Sequence, residues 1–156
     1  IVMPTLQIAG QQEIDLGGRV LELQAHPAAH TDADLSVHDR ETGTLWLGDL
    51  LFMERIPALD GSLLGWIDVL DRLQGTAASR VVPGHGPASA PWPDALVPEA
   101  TYLKSLRDEV RAGIVAGSFM EDLMQTAGQQ QKTNWLLHEL HHVRNVSRTF
   151  TELEWE

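Results

Sequence analysis

Short alternations of apolar and polar residues fill the first third of the chain and predict strands. Residues 2–8 are β-rich and end at the turn signal Ala9-Gly10. Residues 13–16 alternate, Gly17-Gly18 reads as a two-residue hairpin turn, and residues 19–25 return with Leu21 and Leu23 on one face. Residues 35–38 form the next predicted strand, and the turn Asp39-Arg40-Glu41-Thr42-Gly43 leads to another at residues 44–47. Short strands joined by tight turns predict a mainly antiparallel sheet.

The period changes at Ser62. Leu63, Trp66, Ile67, Leu70 and Leu73 recur at helical spacing, with Ser62 as N-cap and Gly75 as stop. Residues 80–83 are a short strand running into Gly84-His85-Gly86. Beyond Pro87, Pro91, Pro93 and Pro98 the pattern is helical. Leu103, Leu106, Val110 and Ile114 make one stripe ending at Gly117, and Ser118-Phe119-Met120-Glu121 has capping-box spacing for the next helix. Residues 134–142 and 145–153 predict two more helices, the second with Val146, Phe150 and Leu153 on one face. Strands followed by helices give an α+β fold. Residues 1–98 supply the sheet and its loops, and residues 99–156 the C-terminal helices, within one domain.

Composition narrows the functional classes. A chain of 156 residues, 43% hydrophobic and 21% charged, builds one packed core and is not disordered. Eleven Lys and Arg against 22 Asp and Glu leave a net charge of −11, which repels phosphate backbones and argues against a nucleic-acid partner. The absence of cysteine excludes a disulfide scaffold, a thiolate metal site and a cysteine nucleophile. No apolar run approaches the ~20 residues of a membrane span, so no membrane partner is expected. The start at Ile1 leads us to expect a processed or truncated product, with localisation left open between periplasm and cytoplasm.

Three segments pair a strand with a small-residue loop and a metal-type donor: residues 25–35 with His26, His30 and Asp34, residues 44–49 ending in Gly48-Asp49, and residues 80–86 ending in Gly84-His85-Gly86. Strand ends fix the direction of a ligand. Imidazole and carboxylate are what Zn²⁺ accepts when thiolate is lacking. Taken singly these residues are ordinary, since an Asp after Gly is usually a turn residue and a lone His usually a surface or satisfied core group.

In combination they resemble the metallo-β-lactamase fold hydrolases, which include glyoxalase II-like enzymes. The family pattern H-x-x-G-H-T-x-x-D, then G-D after a hairpin, then a helix, then G-H-G, is met in order by residues 26–34, Gly48-Asp49 and Gly84-His85-Gly86, with Ala29 in place of the usual Gly. The segments 57–66, 82–87 and 144–156 are similar to the quinoprotein relay system zinc metallohydrolases. The resemblance implies the C-terminal half of an αββα sandwich. It assigns His30 to the first metal, Asp49 to the bridging position and His85 to the second metal, and places His26 outside the ligand set. It further implies two zinc ions in the intact parent, a small-molecule ester, thioester or amide substrate attacked by metal-activated hydroxide, and a periplasmic setting.

The N-terminal H-x-H-x-D-H stretch of the family is missing from this chain, so weak or partial zinc binding, no catalytic residue beyond the metal ligands, and little activity of the chain alone are expected. With the other half absent, an apolar sheet face containing Leu21, Leu23, Leu35, Val37, Leu45, Leu47, Val81 and Val82 is expected to be open. The missing N-terminal half or a second copy of this chain would cover it. Two other readings stand beside this one. The first is a non-catalytic remnant that binds a partner or itself. The second is a zinc site on His138 and His142 of the literal H-E-x-x-H match, weighed against an ordinary mixed helix face. The five tryptophans read as core or surface anchors, and Asp68, Asp71, Asp108 and Glu109 as solvated helix faces.

Overall fold

The structure, a computed structural model, describes Met3 and residues 5–156. Six strands form one sheet in sequence order: β1 (Gln11–Asp15), β2 (Val20–Ala25), β3 (Leu35–Asp39), β4 (Thr44–Phe52), β5 (Arg80–His85) and β6 (Ala90–Pro91). All neighbours are antiparallel except β4 and β5, which are parallel and joined through helix α1 (Leu63–Leu73). Helices α2 (Val97–Val115), α3 (Met120–Thr126) and α4 (His138–Leu153) follow. The expected α+β fold with a mainly antiparallel sheet is the one observed.

Local chemistry explains most boundaries. The Gly17-Gly18 turn forms with both glycines at positive φ, and the Asp15 carboxylate accepts both of their N–H groups. Ser62 caps α1 by accepting from Gly65 N at 2.9 Å. A carboxylate from the far end of the chain strengthens this cap. Glu152 on α4 accepts from Ser62 Oγ at 2.6 Å and from Leu63 N at 2.7 Å, which suits the positive end of a helix.

Several expectations are corrected. Residues 5–9 lie outside any strand, and Ile1, Val2 and Pro4 lie outside the described residues. A β-rich run becomes a strand only where a neighbour offers a ladder. β4 runs on to Phe52, with register shifts around Gly48, so Asp49 sits within an irregular strand rather than in a loop after it. The capping box at Ser118 does not form: Phe119 occupies the N-cap without a side-chain bond. The two helices expected over 134–142 and 145–153 are one helix, α4, preceded by a 3-10 segment at Gln129–Asn134 and an extended stretch in which Leu136 bridges Arg55. Leu136 N donates to the Glu54 carbonyl at 2.7 Å and the Leu136 carbonyl accepts from Ile56 N at 3.0 Å, a tertiary pairing that local periodicity does not encode. Glu109 is not a free solvated residue, because its carboxylate accepts from Gly128 N at 2.7 Å and holds the α3-to-α4 connection.

The sheet register sorts the expected open face. Directly paired residues share a face, so Leu23, Val37, Trp46 and Val82 lie together, as do Leu45 and Val81 on the opposite side. Leu45, Leu47 and Val81 are at most 1% exposed and belong to the core with Trp66, Leu70, Leu103 and Val146 of the helices. They are therefore not part of an open face. Leu21, Leu23, Leu35, Val37 and Val82 are on the other side, and Trp46 joins them. Leu35 there is 38% exposed, Leu23 is buried, and Leu21, Val37, Trp46 and Val82 are half-buried, so the face is less open than expected, although none of the six joins the core cluster formed with the helices.

Candidate functional site

The first donor loop is anchored at both ends. The His30 carbonyl accepts from Asp60 N and Gly61 N, and the Ala29 carbonyl from Ser62 N. These bonds press the loop onto the N-terminus of α1. Gly65 is required there, since a Cβ would lie 2.1 Å from the Ala28 carbonyl oxygen. Asp34 closes the loop by accepting from Thr31 N at 2.9 Å and from Thr31 Oγ1 at 2.8 Å. Its Oδ1 lies 3.7 Å from His30 Nδ1, an electrostatic contact too long for a hydrogen bond.

Asp49 and His85 come from the parallel strands β4 and β5. Their side chains approach at 3.4 Å between Oδ1 and Nε2, and both are partly exposed. Gly84 makes this possible: a Cβ at that position would lie 2.2 Å from Asp49 Oδ1 and 2.6 Å from the Gly48 carbonyl carbon. The Phe52 ring joins the two parts of the site, stacking on His85 at 4.6 Å and tilting against His30 at 5.5 Å. Trp66 backs His30 edge-on at 5.3 Å.

His30, Asp49 and His85 thus converge on one cavity of about 300 Å³, which Phe52, Arg55, Ile56, Ala58, Leu137 and His141 complete. His26 stays outside it and bonds Ser36 Oγ at 2.8 Å. Burial holds the His26 imidazole pKa below its usual value. Among the described residues no three His, Asp or Glu side chains stand close enough to share one ion. The arrangement is an Asp49–His85 pair on β4 and β5 and a separate His30 on the loop before β3, with the Phe52 ring against both histidines.

Phe52, Arg55, Leu137 and His141 went unnoticed in the sequence. A signal for His141 was present. If His138, His142, Asn145 and Thr149 set the buried face of α4, the intervening His141 lies on its flank, where the cavity is. Phe52 had only its position three residues after Asp49.

The H-E-x-x-H match faces inward. His138 and His142 are buried and stack at 4.1 Å. The Ala127 carbonyl can only accept, so His142 Nε2 carries a proton and donates to it at 2.7 Å. His142 Nδ1 then accepts from Tyr102 Oη at 3.1 Å. Both nitrogens are committed, so the pair offers no free chelate. Burial, then the neighbouring His142, lowers the pKa of His138 to about 4.

A pH dependence follows from that shift. The unfolded chain takes up a proton at this histidine below about pH 6.5, whereas the folded chain resists until about 4. The His138 contribution is therefore complete above pH 6.5 and lost as pH falls toward 4. Glu99 works in the opposite sense, because burial raises its pKa well above the usual carboxylate value. The stability difference between wild type and His138→Leu isolates the histidine. That difference should shift in favour of the variant by about 1–2 kcal/mol between pH 7 and pH 4.5, read from urea midpoints. A difference that does not vary with pH would show that His138 titrates normally in the fold.

The comparisons with known proteins fit this geometry. A family model described as the metallo-beta-lactamase superfamily matches residues 6–85. No curated protein matches the chain. A metallo-beta-lactamase from Pontibacter korlensis is similar at 26% identity and a TM-score of 0.59, over 66% of this chain and 50% of its own. A stereoselective inverting sec-alkylsulfatase from Pseudomonas sp. superposes on 99% of this chain and 26% of its own, with TM-score 0.69 at 12% identity. An archaeal metallo-beta-lactamase superfamily protein from Sulfolobus tokodaii gives a TM-score of 0.51 at 21% identity, covering 65% of this chain and 39% of its own. The last two are evidence of shared fold only. The chain spans half or less of the length of each of these structures.

Proposed function

Because the chain belongs to the metallo-beta-lactamase superfamily, we propose that it carries part of the site of a zinc-dependent hydrolase acting on an ester, thioester or amide. The observation that supports this most is the meeting of His30, Asp49 and His85 at one cavity. Imidazole and carboxylate without thiolate suit Zn²⁺. The donor set fits two ions incompletely: His30 toward one, His85 toward the other, and Asp49 placed beside His85 to serve as the bridge. Further donors from a second half of the protein would complete it. Bound zinc supplies Lewis acidity and makes hydroxide available near neutral pH. In this reading the chain's residues orient rather than react: Phe52 and Trp66 exclude water behind His30, and Asp34 steadies the His30 loop. Motif resemblance to the quinoprotein relay system metallohydrolases supports a periplasmic setting.

The partly exposed sheet face supports a second layer over it. Leu21, Leu35, Val37, Trp46 and Val82 share one face, with Leu35 exposed and the others half-buried, and covering what remains exposed contributes about 25 cal/mol per Å². The preceding half of an αββα sandwich is the occupant we favour, since it would also bring the remaining donors. A second copy of the chain would cover the face without them. A purely binding role predicts no metal and no turnover.

The test is metal analysis and hydrolysis of activated esters and thioesters by the protein that carries this chain. About two zinc ions per molecule, with activity lost to a chelator and restored by zinc, is the expected result. A metal-free protein that stays inert with added zinc would overturn the proposal. Gly84→Ala offers a sharper check. The added methyl drives into Asp49 and the Gly48 backbone, so zinc affinity should fall at least about tenfold, as when the support of a ligand is disturbed. Unchanged affinity by calorimetric titration would mean that Asp49 is not held for a metal.

A further inference from the structure

The structure assigns Glu99 as the residue that positions Phe52, and through it the rings of His30 and His85. It is a positioning residue and does not line the cavity of His30, Asp49 and His85. Glu99 lies in the first turn of α2, fully buried, and its Oε1 accepts from Phe52 N at 3.0 Å. The reason for this bond is in the sheet. β3 pairs with β4 only as far as Trp46, so the later residues of β4 have β5 alone. Met53 N donates to the His85 carbonyl at 2.8 Å, toward β5. The preceding N–H, that of Phe52, points the other way, where no strand stands. Glu99 supplies the missing acceptor and fixes the end of β4. The Phe52 ring is thereby set against His85 at 4.6 Å and His30 at 5.5 Å.

A buried carboxyl is an expensive acceptor. Among the described residues no basic side chain pairs with Glu99, and its Oε2 has no hydrogen-bond partner. Burial raises its pKa well above the usual value and so favours the neutral form, and the bond from Phe52 N needs only an acceptor oxygen. Gln therefore reproduces the bond, and Leu fills the space without it.

The relevance to metal binding rests on the zinc reading above; the ring positions do not. The experiment compares wild type, Glu99→Gln and Glu99→Leu in the whole protein. The ring-proton NMR shifts of His85 and His30 are recorded without metal, and Co²⁺ affinity by absorbance is recorded alongside. Stacking on Phe52 places a ring-current shift on His85. In Glu99→Leu that shift should shrink and Co²⁺ affinity should fall roughly 10-fold, the size seen when a group that orients a metal ligand is lost. Glu99→Gln should restore both. Retained ring shifts in Glu99→Leu, or loss in both variants alike, would overturn the assignment. Altered ring shifts in a protein that binds no Co²⁺ would uphold the positioning role and count against the zinc reading.

Discussion

On the zinc reading, Asp49→Ala should lower zinc affinity by more than roughly 100-fold, beyond the loss that follows when a group that only orients a ligand is removed, and remove hydrolysis with it. Among the described residues Asp49 is the one carboxylate lining the cavity where β4 and β5 meet, and its side chain lies 3.4 Å from His85. The side chain is 46% exposed, so its truncation should change the stability of the metal-free fold by no more than about 0.5 kcal/mol. That contrast makes the experiment decisive. Unfolding of the apo-protein should be unchanged, while metal content after dialysis against micromolar zinc should drop. A variant that keeps its zinc would move the bridging role elsewhere. His141→Ala is the natural comparison, because His141 lines the same cavity from α4; without a place in the ligand set it should leave zinc content intact.

The second large effect concerns the frame of the cavity. Asn145 is buried on α4 and reaches the loop between β4 and α1. Its Oδ1 accepts from Leu59 N at 3.0 Å, and its Nδ2 donates to the Pro57 carbonyl at 2.7 Å and to Tyr102 Oη at 3.0 Å. The loop so held carries Ile56 and Ala58 into the cavity wall. Asn145→Leu keeps the approximate volume and strands two backbone groups in the interior, each costing about 1–3 kcal/mol when unpaired. A loss of about 3 kcal/mol is expected, or roughly 10 °C in Tm for a domain of this size. Thermal denaturation measures it directly. A loss below about 1 kcal/mol would mean that the loop groups recover their bonds from water.

Much of this was legible in the residues. Alternation located β2 and β3, the three-and-four spacing located α1 with its Ser62 cap, and the order of His30, Asp49 and His85 along the chain pointed to the family and the cavity. These features depend on neighbours within one element, where side-chain direction follows from a period of 2 or 3.6. Packing between elements set the rest. Leu45 and Val81 look no different from Val37 and Val82 in the sequence, yet the pairing register turns the first two to the helices and the last two away. His138, His141 and His142 are equivalent by composition, and only the docking of α4 on Tyr102 and Ala127 buries two of them and brings the third to the cavity. Glu99 reads as a common first-turn acid until the short reach of β3 leaves the Phe52 N–H without a strand partner. Such choices belong to contacts between residues tens of positions apart, and a local pattern carries no information about them.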